Sequence, residues 1–198
     1  MASDFHTHFY RPGVTALVNG FSADARFWSL PFHPWETAEF TMPEPEKLQA
    51  CTALGELGFD KFRGAAAWPE KQMEIFRNFL ELASDCRKPV VLHACGSFEL
   101  LYKSVKPFSD LKLLFHGFAR HNTALLEELL RHGFFVSLAP ALISDEKFRS
   151  FLNSHPGCRV GLESDDDENA DINEFYSRIA VPGFEKNADD IFREFTGS

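Results

Sequence analysis

PVVLHACGSFELLYKSVKPFSDLKLLFH, residues 89–116, reads as strand, helix, strand. The apolar runs at 89–93 and 111–116 are short, as buried strands are, and residues 97–105 between them carry a helical pattern. The same alternation continues on both sides. Residues 133–138 (GFFVSL) and 159–163 (RVGLE) are further strand candidates, and 70–87, 122–132 and 145–154 are further helical stretches. Trp68-Pro69 and Ser144-Asp145 have the chemistry of helix starts. Residues 171–180 and 187–195 read as one or two closing helices. Strands alternating with helices indicate βαβ units and a parallel sheet.

Working back toward the N-terminus, 3–8 (SDFHTH), 14–20 (VTALVNG), 26–33 (RFWSLPFH) and 51–57 (CTALGEL) also read as strands. Eight strands is the count of a closed TIM-type (β/α) barrel, here one domain over residues 1–198. The chain is short for that fold, which typically takes about 250 residues. The shortfall falls early: only residues 9–13 join the first two candidate strands, and only 21–25 the next two. A parallel crossover ordinarily takes a dozen residues or more, and both links carry turn chemistry, Arg11-Pro12-Gly13 and Ser22-Ala23-Asp24. The expectation is an α/β barrel that lacks its first two helices and whose second strand runs antiparallel between the first and third.

Composition fits a globular domain, with 44% hydrophobic and 25% charged residues. The 22 Phe point to a core of bulky rings that partly compensates for small size. The net charge of −9 argues against a broad, tight nucleic-acid surface. A pair of buried divalent ions would offset about four of those charges locally, which leaves room for a small phosphorylated substrate or a polynucleotide end. The N-terminus has neither the basic nor the apolar segment of a signal peptide, and no apolar run approaches a membrane span. The four cysteines lack paired spacing and read as reduced thiols, so the expected location is cytoplasmic, with no obligate protein partner evident.

The chemistry begins at Asp4-Phe5-His6-Thr7-His8. Residues i and i+2 of a strand project to one side, so His6 and His8 form a ligand pair suited to zinc, manganese or a similar ion. Alone, such a pair could be chance among eight histidines. Four further residues change the weight: His93 and His116 end their strands, Glu56 lies at the end of ALGEL, and Asp165 just follows VGLE. All these candidates sit at the C-terminal ends of strands, the face where barrel enzymes keep their active sites.

In order, D-x-H-x-H, P-F-H-P, A-L-G-E-L-G-F-D, P-V-V-L-H, L-L-F-H-G-F and G-L-E-S-D resemble the TatD-like metal-dependent hydrolases, within the amidohydrolase-type barrel superfamily. The resemblance runs from Asp4 to about Phe195, and its most specific piece is Gly55-Glu56-Leu57-Gly58-Phe59-Asp60. It implies one metal held by His6, His8, Glu56 and Asp165, and a second held by Glu56, His93 and His116, with Glu56 bridging. Zinc, manganese and magnesium all suit such sites. Two ions can activate a shared water and stabilise charge on a phosphoryl or carbonyl oxygen. Asp165 is the candidate general base, with simple ligation as the alternative. The resemblance also places His33 toward the substrate, although its flanking prolines could equally account for it. Asp60 reads as an orienter of a ligand histidine or a substrate contact. Arg11, Lys61, Arg63 and Arg120 follow ligand-bearing strands and read either as phosphate contacts or as solvated loop cations.

The chain departs from the family pattern where the early helices are missing. Cys95 stands where the family commonly has Arg; it reads as a packing residue or as a soft ligand. His116-Gly117-Phe118-Ala119-Arg120 replaces His-Cys-Phe-Thr-Gly, and Asp165 is followed by Asp166, Asp167 and Glu168 rather than Ala-Pro. The expected activity is hydrolysis by metal-activated water, on a phosphodiester and in particular DNA. The competing expectations are a small phosphoester, ester or amide substrate, and a non-catalytic metal-binding barrel. The polymerase-and-histidinol-phosphatase family shares a D-x-H-T-H-like opening but lacks the G-E-L-G-F-D element in this form.

Overall fold

The computed structural model describes residues 2–34, 41–63, 69–108 and 110–198. Trp68, half of one expected helix start, lies outside the described residues. Eight strands, β1 (Ser3–Thr7), β2 (Thr15–Asn19), β3 (Phe27–Leu30), β4 (Ala53–Asp60), β5 (Val90–Cys95), β6 (Leu113–Phe118), β7 (Phe135–Leu138) and β8 (Val160–Leu162), close into a barrel in sequence order. The helices are α1 (Pro45–Ala50), α2 (Pro69–Cys86), α3 (Phe98–Val105), α4 (Thr123–Arg131), α5 (Glu146–Ser154), α6 (Ile172–Ile179) and α7 (Phe184–Thr196). From α2 to α6 each helix starts one residue from its expected stretch, α7 starts three residues early at Phe184, and two closing helices are present. The short α1, which buries no residue, has no apolar face by which periodicity could announce it.

The expected antiparallel β2 is wrong. β2 pairs parallel with β1 (Ser3↔Thr15, Asp4↔Ala16) and parallel with β3 (Leu17↔Phe27, Val18↔Trp28), and the whole barrel is parallel. The links at 8–14 and 20–26 hold turns and bends but no helix. The dozen-residue rule describes crossovers that carry a helix; it is not the geometric minimum. Seven extended residues reach about 23–25 Å. A five-residue strand is only about 16 Å long and its neighbour lies about 4.8 Å away, so a bare segment can climb back over the outside of the barrel.

The C-terminal helix helps to cover the side those links leave thin. Phe192 of α7 meets Phe5 of β1 edge-on at 5.5 Å and Phe27 of β3 at 5.4 Å, while Phe195 meets Phe135 of β7 at 5.1 Å. Both α7 rings are fully buried, each contributing roughly 1.5–3 kcal/mol of hydrophobic stabilisation. A groove of about 520 Å³ remains beside them, with Val14, Ala16, Phe27 and Phe192 in its lining. The second half is closed more evenly: Phe98 of α3 stacks at a tilt on Phe115 of β6, and Phe148 of α5 meets Phe118 of β6.

β4 sits between these halves and is buried along all eight residues. Its glycines let it lie tight on β5. A Cβ at Gly58 (φ +148°) would strike the His93 carbonyl oxygen, and one at Gly55 (φ +130°) the Val91 carbonyl oxygen. The pairing register between β4 and β5 shifts between Leu54 and Leu57, the stretch that carries Glu56.

Candidate metal centre

Glu56 is the hub of the barrel mouth, only 2% exposed. Its two carboxylate oxygens face different groups. Around Oε1 lie His8 Nε2 at 2.9 Å, His6 Nε2 at 3.1 Å and Asn19 Nδ2, which donates at 2.9 Å. Around Oε2 lie His93 Nδ1 at 2.9 Å and His116 Nε2 at 3.0 Å. Asp165 joins the first group, its Oδ1 standing 3.6 Å from His8 Nε2 and 3.7 Å from His6 Nε2.

Local backbone geometry places Asp165. Its N–H donates to the His6 carbonyl at 3.0 Å, and its own carbonyl accepts from the His8 N–H at 2.9 Å. The residue is thus stitched to β1 between the two histidines it faces. It adopts a left-handed φ of +49°, a conformation that Asp tolerates better than most residues and that recurs at functional sites.

The electrostatics separate the donors. Burial is the largest influence on His6 and His116 and lowers both, favouring the neutral imidazole that ligates metal. Burial would raise Glu56, but His116 and His6 outweigh it and hold the carboxyl far below the usual carboxylate range. Burial raises Asp165, with His116 opposing. His8, held chiefly by Glu56, is raised.

These donors fit a divalent ion. Two ligands on one ion at about 2.1 Å lie roughly 3.0–3.4 Å apart in octahedral or tetrahedral geometry. The histidine separations of 2.9 to 3.1 Å around Glu56 lie close to that spacing, and Asp165 stands slightly farther out at 3.6 and 3.7 Å from His8 and His6. His6–Glu56–His116 and His6–His8–Asp165 each bring one ligand atom per residue within 4.8 Å of the others. Among the described residues, the buried Nδ1 atoms of His6 and His116 have no hydrogen-bond partner.

The remaining expected residues divide. His33, buried, lies at the mouth: its Nε2 is 3.3 Å from Asn19 Nδ2, its Nδ1 is 3.8 Å from Glu56 Oε1, and its ring stacks on His8 at 5.9 Å. Asp60 Oδ2 lies 3.2 Å from His93 Nε2, while its Oδ1 accepts from the N–H groups of Phe62 and Arg63. It therefore grips the imidazole from the side away from Glu56. Cys95 shares a cluster with Asp60 and His93. Arg11 is engaged by Thr7 Oγ1 and Ser164 Oγ, both at 3.0 Å, and by the Asp167 carbonyl at 2.5 Å, so it clamps β1 to the loop after β8. Arg120 is exposed and lies over the Phe98 ring at 5.1 Å, outside the cluster of ligands. Lys61 and Arg63 are exposed on the turn after β4.

Two polar residues escaped the sequence reading. Asn19 ends β2 as His93 and His116 lie near the ends of theirs, and Ser29 Oγ donates to its Oδ1 at 3.1 Å. Position at a strand end was the available signal. Glu163, fully buried, accepts from Ser137 Oγ at 2.5 Å and lies 3.8 Å from His116 Nδ1. Burial, then Asp165, raises its carboxyl well above the usual range. Its place two residues before Asp165, on the same side of an extended chain, was its signal.

A family model described as TatD related DNase matches residues 11–174. The chain belongs to the TatD family. Among curated relatives, an uncharacterised metal-dependent hydrolase of Methanocaldococcus jannaschii is 29% identical over 103 residues, 52% of this chain and 39% of that protein. The human deoxyribonuclease TATDN3 is 25% identical over 116 residues, 57% of this chain and 42% of that protein. The matched stretch thus spans well under two thirds of either relative. The crystal structure of YjjV, a TatD homologue from Escherichia coli K12, superposes with a TM-score of 0.76 at 16% identity, covering 100% of this chain and 98% of that one. A TatD family hydrolase from Entamoeba histolytica gives 0.52 at 17% identity, over 77% of this chain and 62% of that one. Both structures share the fold. Among the described residues, no helix is long and apolar enough to cross a membrane.

Proposed function

We propose that this chain is a divalent-metal-dependent phosphodiesterase that cleaves DNA at or near an end. The observation that carries the reading is the division of labour at Glu56: Oε1 faces His6, His8 and, beyond them, Asp165, and Oε2 faces His93 and His116. One carboxylate serving two donor groups suits a pair of ions, and zinc, manganese and magnesium are the candidates. When bound, such ions supply Lewis-acid stabilisation of a phosphoryl oxygen and make water a better nucleophile at neutral pH.

The protein's own groups do the rest. Asp165, 36% exposed at its side chain and the most open carboxylate of the set, accepts the proton of the attacking water. The new P–O bond forms as the bond to the leaving sugar oxygen breaks. His33, beside Asn19 and Glu56 at the mouth, meets the substrate. Asp60 fixes the ring of His93, and Glu163 lies 3.8 Å behind His116 Nδ1. Arg11, already bonded to β1 and to the loop after β8, holds the rim on which Asp165 sits. A second reading, a small phosphoester, ester or amide, draws support from the exposed Asp166, Asp167 and Glu168 beside Asp165, which repel a long polyanion.

The test is metal content together with hydrolysis of single-stranded DNA, phosphodiesters, phosphomonoesters and esters, with manganese, magnesium or zinc added. His6→Ala and Asp165→Ala are each expected to lower the rate at least about a hundredfold. Full activity in both variants overturns the site; failure to bind any divalent ion overturns the metal-dependent reading.

A further inference from the structure

The barrel mouth is electrically lopsided. In a closed eight-stranded ring β4 lies opposite β8. The loop after β8 exposes Asp166, Asp167 and Glu168, whereas the turn after β4 exposes Lys61, Phe62 and Arg63, and the turn after β6 exposes Arg120. Between the two exposed cations of the β4 turn, Phe62 leaves 78% of its surface to solvent, and among the other described phenylalanines only Phe21, at 70%, is comparably bare.

The backbone that carries the ring is held in place. The Lys61 N–H donates to the Cys95 carbonyl at 3.0 Å. The Phe62 and Arg63 N–H groups both donate to Asp60 Oδ1, at 2.7 and 3.0 Å, and the other oxygen of that carboxylate meets His93. Gly96 (φ +66°) completes the support, since a Cβ there would come within 2.9 Å of the Phe62 ring. One carboxylate therefore fixes both a candidate metal ligand and the turn that carries Phe62.

We infer that Phe62 is a stacking platform for one unpaired nucleobase of the substrate strand, which crosses the β4–β6 side of the mouth with Lys61, Arg63 and Arg120 beside its phosphates. An aromatic ring set among cations is the chemistry of sequence-tolerant single-strand binding. It also reconciles an acidic protein with a nucleic-acid substrate, because stacking carries affinity without net charge. The inference rests on the DNA reading above and names where the strand lies.

The experiment scans a single-stranded oligonucleotide with one abasic residue at each position in turn, with manganese present, for the wild type, Phe62→Ala and Phe62→Trp. On the intact strand Phe62→Ala should raise KM about tenfold with kcat little changed. The wild type should lose about as much when the base at one particular position is removed, and Phe62→Ala should be indifferent to that removal. Phe62→Trp should restore the intact-strand KM. Cleavage that ignores Phe62, or a Phe62→Ala defect equal on intact and abasic strands, overturns the platform alone. A wild-type protein that binds metal but neither binds nor cleaves any strand overturns the DNA reading and the platform with it.

Discussion

The two halves of this barrel reach one end by different means. From β5 to β8 every crossover carries a helix, and the outside of the barrel is covered by neighbours close in sequence. From β1 to β3 two bare seven-residue links return the chain, and the aromatic cover comes from α7 at the far end of the sequence. Yet each half delivers two imidazoles to Glu56, His6 and His8 to one oxygen, His93 and His116 to the other. The fold tolerates the loss of its outer helices on one side because the strands, which carry the candidate ligands, depend only on the parallel register.

The comparison breaks most sharply at Glu56, the residue both halves share. Glu56→Ala should empty both donor groups and lower hydrolysis by about a thousandfold or more, measured as bound metal per chain and initial rate. The single-half variants sharpen the result. His6→Ala and His93→Ala are each expected to remove one ion and leave the other. Loss of all metal from both, or from neither, would mean that the oxygens of Glu56 do not divide the site.

The second half was readable because its physics is local. Short apolar runs, helical periodicity and helix starts all lie in adjacent residues, and α4 and α5 appear where those signals put them. Part of the group around Glu56 was readable for a related reason: His93 and His116 lie near strand ends, where side chains converge, whereas Glu56 sits mid-strand because β4 runs on to Asp60 rather than stopping at Leu57. β2 was misread because chain reach, not helix content, sets the shortest parallel return, and nothing in TALVN itself distinguishes one direction from the other. Asn19 and Glu163 were missed because a neutral amide or a lone carboxylate near a strand end carries little signal until the ring is closed and their partners are known. Phe192 as the cover of β1 and β3 is a contact across most of the chain, which no window of sequence contains.

That long-range cover is the next place to press. Phe192→Ala removes a ring packed against both Phe5 and Phe27 and is expected to cost about 3–5 kcal/mol in urea unfolding. Hydrogen exchange should rise first in β1 to β3, before β5 to β8, because the early strands have no crossover helix of their own to hold them. Uniform loosening of the barrel would show that the two halves are stabilised as one unit.

The smallest effect belongs to a single cap in the regular half. Asn122 accepts the Leu125 N–H through its side-chain oxygen at 3.1 Å and so satisfies one of the open donors at the start of α4. Asn122→Ala should cost about 1 kcal/mol. Bound metal and hydrolysis should stay unchanged, because α4 packs mainly on β7 through buried Leu126 and Leu129 and contributes no donor to the mouth. The contrast with Phe192 is the informative part. A helix that packs beside its own strand can lose a cap and stay in place, since its buried leucines hold it. If Asn122→Ala instead shifted metal affinity, the order of the mouth would depend on the outer helices after all, and the ease with which β1 to β3 dispense with theirs would need another cause.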